Sequence, residues 1–112
     1  MNDTIHFQLI VTIIPHGDCN PLINAAKKAG AEGVTIIQGR GSGINESGTF
    51  LGIPIEPEKD ILLILIDSSK TDAVMSALVE AGKLDRPGHG IAFVLDVPKV
   101  TGIVHLGKVF NG

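Results

Sequence analysis

The sequence predicts an α+β domain of ferredoxin-like plan, βαββαβ, with an antiparallel sheet carrying two helices on one face and a short extra strand near the C-terminus. Three observations predict it. Two β-α-β successions of similar length follow one another, each helix is about three turns long, and a long polar segment separates the two halves. A chain of 112 residues is also too short to divide into two stable cores, so a single domain over residues 1–112 is expected.

Residues 6–14 are rich in Leu, Ile and Val and are closed by Pro15 and Gly17, which reads as a first strand. Asn20 before Pro21 predicts an N-cap followed by proline at the first helical position. Leu22, Ile23, Ala25, Ala26 and Ala29 then make one apolar face, and Gly30 ends the helix. A second strand is expected over 33–38 and a third over 60–67, where the unbroken apolar run from Ile61 to Ile66 predicts burial on both faces. Ser69 with Asp72 three residues later resembles a capping box, and Val74, Ala77, Leu78 and Ala81 carry a second helix to Gly82. Residues 90–97 read as a fourth strand and 102–106 as a short added edge. Helices on one side only would leave the other sheet face bare, so a homo-oligomer is expected to cover it.

With four Phe and no Trp or Tyr, the core must come from branched aliphatic residues and Ala, which suits a sheet. A net charge of −3 with both signs interspersed gives no electrostatic basis for binding nucleic acid. The longest apolar run, Ile61 to Ile66, falls far short of the about 20 residues of a membrane-spanning helix. The single cysteine makes no internal disulfide, and Met1-Asn2-Asp3-Thr4 has no feature of a secretory signal, so a soluble cytoplasmic protein is expected.

Two segments stand out as binding elements. Gly39-Arg40-Gly41-Ser42-Gly43 alternates glycines that permit positive φ and close approach of N–H groups to an anion, with Arg40 adding charge; the same composition also serves a plain flexible connection. It opens a segment, 39–59, long enough to suggest a recognition loop. There Phe50, Leu51, Ile53 and Ile55 suit either docking on another chain or packing along the loop's own strand-like stem. The second segment, Gly82-Lys83-Leu84-Asp85-Arg86-Pro87-Gly88-His89-Gly90, again joins glycines to basic side chains, either to meet an anion or as a solvated turn.

Gly82-Lys83-Leu84, followed through Gly88-His89-Gly90 by Ala92-Phe93-Val94-Leu95-Asp96-Val97, resembles the C-terminal signature of PII signalling proteins, a Gly-Lys-Ile-Gly-Asp-Gly-Lys-Ile-Phe-Val stretch. Gly33-Val34-Thr35-Ile36 and Gly41-Ser42-Gly43 resemble that family's second strand and the Gly-Phe-Gly start of its T-loop. The resemblance implies a homotrimer with ligand clefts between subunits, in which ATP, ADP or AMP acts as a small-molecule effector and the T-loop (39–59) signals to a transporter or enzyme in nitrogen regulation. Thr35, Gly41, Gly43, Lys83, Gly88 and Gly90 fall on positions of that cleft, and Gly39, Arg40, Ser42, Arg86 and His89 adjoin them. No catalytic residue is implied.

This chain departs from the family in three places. It has no tyrosine to uridylylate, Thr101-Gly102-Ile103-Val104-His105 lacks the family's paired arginines, and Ile91 stands where a lysine follows the Gly-Asp-Gly turn. A nucleotide bound differently, or another anion, therefore stands beside ATP. The alternative function is that of a CutA-type trimer binding divalent metal, for which His6, His16, Cys19, His89 and His105 are the available ligands. His16 and Cys19 also suggest a reactive pair at a helix start, while Glu56, Glu58 and Asp60 around Pro57 read as a solvated charged stretch.

Overall fold

The computed structural model describes residues 5–43 and 48–102. Its elements are β1 (Phe7–Pro15), α1 (Asn20–Ala29), β2 (Thr35–Arg40), β3 (Gly48–Phe50), β4 (Ile53–Ile55), β5 (Glu58–Asp67), α2 (Ser68–Gly82) and β6 (Ile91–Val97). Four strands form one sheet in the order β2-β5-β1-β6 with every neighbouring pair antiparallel, which is the ferredoxin-like arrangement expected. The last expected strand, 102–106, lies outside the described residues except for Gly102.

Register sorts the side chains onto two faces. Ile10 and Thr12 of β1 stand opposite Ile64 and Leu62 of β5. Ile10, Ile64 and Leu62, with Ile14 and Ile66, meet Leu22 and Ala26 of α1 and Val74 and Leu78 of α2 in one buried cluster. Each such aliphatic side chain contributes about 1.5–3 kcal/mol by leaving water. The other face carries Leu9, Val11 and Ile13 of β1, Ile61, Leu63 and Leu65 of β5, and Ile91, Phe93 and Leu95 of β6. Among the described residues no helix covers it, and Ile91 and Leu95 are 59% and 49% exposed.

Local chemistry moves several element ends from where the sequence put them. The start of α1 is capped at Cys19, whose carbonyl accepts from the N–H groups of Leu22 and Ile23, while Asn20 is already helical and its own N–H donates to Asp18 Oδ1 at 3.0 Å. The cap of α2 is Asp67, not Ser69: its carboxylate accepts from the Ser69 N–H at 2.9 Å, so the strand hands over to the helix without a loop. Helix α2 runs to Gly82 as expected, and Lys83 after it caps the helix in the left-handed region (φ 53°). Gly82 packs closely against α1, where a Cβ would lie 3.0 Å from Leu22 Cδ2 and the leucine would have to give way.

The segment between β2 and β5 is not all loop. Strand pairing continues through Gly39↔Lys59 and Arg40↔Glu58, and the Gly41 N–H donates to the Pro57 carbonyl at 3.1 Å beyond the ladder. Within the segment β3 and β4 form a hairpin. Phe50 pairs with Ile53, leaving Leu51 and Gly52 as a two-residue turn with φ of 53° and 80°. Positive φ at both central positions defines a type I′ turn, which normally takes Asn, Asp or Gly. Leucine in the left-handed region costs about 1–2 kcal/mol.

Candidate functional site

Two glycine-rich segments distant in sequence converge at one end of the open sheet face. The chain enters β6 through Gly90 at φ 127°, where a Cβ would lie 2.5 Å from the Ile13 carbonyl oxygen and 2.8 Å from Ile14 Cγ2. Only glycine lets the turn come this close to the end of β1. Across the sheet, Gly39 at the end of β2 sits beside Lys59 and Ile61 of β5, and a Cβ on it would approach Ile61 Cδ1 at 3.3 Å.

The result is a cavity of about 470 Å³. Its floor is Ile13, Ile61 and Ile91, neighbours on the adjoining strands β5, β1 and β6. Around them stand Gly39, Arg40, Gly41, Ser42 and Gly43 on one side, Gly88 and Gly90 on the other, and Lys59. Among the described residues lining it, two are cations and none is a carboxylate. The site therefore offers an apolar floor beside positive charge and close backbone, which suits a small anion with an apolar body.

Of the residues singled out from sequence, Gly39, Arg40, Gly41, Ser42, Gly43, Gly88 and Gly90 are brought together here. Lys83 and Arg86 line a different groove, of about 630 Å³, along the end of α2 with Met75, Val79, Glu80 and Asp85. Thr35 lies at the far end of β2 opposite Leu63, and His89 is exposed in the turn. Gly39 and Gly41 contribute without positive φ: one is in the β2–β5 ladder and the other's N–H is held by Pro57. Lys59 and the three isoleucines were not legible as site residues. Their signal is register, since Lys59 and Ile61 lie two apart on one strand and so share a face.

Beside this cavity, on the helix-facing side of β5, Asp60 is buried, in contrast to the solvated charge its neighbours suggest. Its Oδ1 lies 2.8 Å from His16 Nδ1 and its Oδ2 accepts from the Gly17 N–H at 3.2 Å. The His16 N–H donates to the Glu58 carbonyl at 3.1 Å, so the turn after β1 is fastened to the start of β5. The hydrogen bond and charge of Asp60 raise the His16 pKa above its ordinary 6.5. The hydrogen bond from His16, aided by Gly17 and opposed by burial, lowers that of Asp60 below 3.8. His16 is thus engaged with Asp60, while Cys19 packs against the hydrophobic core. Among the described residues no three His, Cys, Asp or Glu side chains gather around a point that would hold a metal ion, and His105 lies outside them. No helix among the described residues is long and apolar enough to cross a membrane.

A ferredoxin-like sheet with glycine-rich segments meeting at one end defines a class of small α+β domains. The family model of nitrogen regulatory protein P-II matches residues 7–105, and the chain belongs to that family, whose proteins are regulatory. No curated protein sequence is significantly similar to it. Among solved structures, GlnK of B. subtilis in complex with ATP is 17% identical with a TM-score of 0.64, covering 82% of each chain. Arabidopsis thaliana PII bound to citrate is 23% identical with a TM-score of 0.66, over 82% of this chain and 78% of that one. B. subtilis GlnK is 19% identical, also with a TM-score of 0.66, over 83% and 86%. At these identities the likeness is one of fold.

Proposed function

We propose that this PII-family regulator senses a small anionic ligand, a nucleotide in the first instance, in the cavity between Gly39–Gly43 and Gly88–Gly90. It then signals through the 39–59 segment to a transporter or enzyme. The observation that carries this reading is the cavity itself: two cations, Arg40 and Lys59, no described carboxylate, and close backbone over an isoleucine floor. ATP and citrate, the molecules bound in two of the similar structures, are both polyanions. The uncovered apolar face supports a homotrimer in which neighbouring copies bury Ile91, Phe93 and Leu95 and close the open side of the cavity. Because the cavity is rooted at the base of the 39–59 segment, a ligand that contacts Arg40 and Gly41 in one arrangement only shifts that segment's population.

A thermal-shift panel of ATP, ADP, AMP, cyclic nucleotides, bicarbonate and divalent metals tests the reading, since a ligand selective for the native state raises Tm. A shift with nucleotide or another anion that is lost in Arg40→Ala is expected. A shift with metals alone would overturn it.

A further inference from the structure

We propose that His16 and Asp60 are positioning residues for the cavity, a clip that holds its wall in place for an anion while His16 is protonated and slackens as His16 loses its proton. The inference rests on reading the cavity as the ligand site, and it gives that site a sensitivity to pH. The clip and the cavity share two strands. Pleat alternation sends Lys59 and Ile61 of β5 to the cavity and buries Asp60, between them, on the opposite face. On β1, Ile13 lies in the cavity floor, and His16 follows three residues later, just past the end of the strand. Both oxygens of the Asp60 carboxylate are held by the turn after β1, Oδ1 by His16 Nδ1 at 2.8 Å and Oδ2 by the Gly17 N–H at 3.2 Å. What fixes Asp60 therefore fixes the backbone that carries Lys59 and Ile61. The Glu58 carbonyl accepts from the His16 N–H, and Glu58 pairs in the ladder with Arg40, so a shift of this stretch reaches both cations of the cavity.

The charges that bear on His16 are those of Asp60 and Glu58, both on β5 and both favouring the protonated ring. In its own turn, Asp18 accepts from the Asn20 N–H and Cys19 packs against the core. Asp60 is kept ionised by His16 and the Gly17 N–H against its burial. A neutral His16 still donates to Asp60 through Nδ1–H, but the buried carboxylate then loses the opposite charge beside it, and a buried charge without one is costly. The hold of the turn on β5 weakens accordingly. The same deprotonation removes a positive charge from the end of the sheet where the anion binds, so both effects lower affinity as pH rises. By reciprocity, binding of the anion favours the protonated ring and draws protons from solution.

The test is calorimetric titration of ATP and of citrate into the full wild-type chain and His16→Gln at intervals from pH 6 to pH 9. Every other titrating group, that of His89 in the neighbouring turn and those of the ligand included, is common to both chains and cancels in the ratio of their affinities. The ratio of wild-type to His16→Gln affinity is expected to fall about threefold or more across this range. Titrations at pH 7.5 in two buffers of different ionisation enthalpy read the protons taken up per ligand bound, and wild type should take up more than His16→Gln. Asp60→Asn, which keeps the side chain's shape and drops its charge, should lose the same pH dependence. A constant ratio with equal proton uptake, even if His16→Gln binds more weakly throughout, would show a merely structural pair and overturn the proposal while leaving the cavity as the ligand site. No binding of either anion at any pH would overturn the ligand reading and the clip together.

Discussion

Replacing Gly90 by alanine separates two physical costs that meet at the site. A side chain at φ 127° is strained whatever the space around it, and holding alanine in that half of the map costs about 1–2 kcal/mol. The new Cβ would also stand 2.5 Å from the Ile13 carbonyl oxygen. That oxygen belongs to a central strand and cannot rotate aside, so the turn must shift, at about 1–3 kcal/mol as in other overpacked sites. The total expected loss is about 2–5 kcal/mol. Gly88→Ala is the matched control: φ is 83°, but no atom lies within 4 Å of its added Cβ, which leaves only the first cost, about 1–2 kcal/mol. Urea melts of both variants at one fixed protomer concentration read the difference, and fixing the concentration matters because an oligomer's stability depends on it. Equal losses in the two variants would refute the steric account of how this turn meets β1.

Three further outcomes follow from the geometry. The Thr12 hydroxyl is fully buried with no hydrogen-bond partner among the described residues, so Thr12→Val is expected to raise stability by about 1 kcal/mol in the same urea melt. Leu62, fully buried at the centre of the core, should cost about 2–5 kcal/mol as Leu62→Ala, with Tm falling accordingly. The His16–Asp60 pair makes stability depend on pH at both ends. The raised His16 pKa contributes stability that is complete below 6.5 and is lost as pH climbs through the higher folded value. The lowered Asp60 pKa contributes stability present above 3.8 and lost as pH falls through the lower folded value. Tm should therefore decline from pH 6 to pH 9 more steeply in wild type than in His16→Gln, and parallel profiles would show that the pair does not hold the turn.

The fold was readable because its strands are aliphatic runs punctuated by Pro and Gly, and because each helix has one apolar face. What sequence could not supply was anything set by pairing. Glu58 and Lys59 look like loop residues, and only their partners Arg40 and Gly39 make them strand. The β3–β4 turn escaped because Leu51-Gly52 lacks the Asn or Asp that marks a type I′ turn. At the start of α2, Asp67 and Ser69 are both good caps, and the choice depends on where β5 ends. The two glycine-rich segments of the site were legible from composition. Lys59 and the floor of Ile13, Ile61 and Ile91 were not, because three strands distant in sequence must be aligned before they become neighbours. Asp60 was masked by charged neighbours, since only a strand's alternation shows that it turns inward while Lys59 does not.

The most direct test of the central claim is calorimetric titration of ATP, or of whichever anion gives the largest thermal shift, into wild type, Arg40→Ala, Lys59→Ala and Glu80→Ala. Losing one charge-assisted contact should weaken binding about tenfold or more in Arg40→Ala and Lys59→Ala, and leave it unchanged in Glu80→Ala, which lines the separate groove at the end of α2. Binding that is indifferent to Arg40 and Lys59 but altered in Glu80→Ala would place the ligand elsewhere and contradict the account.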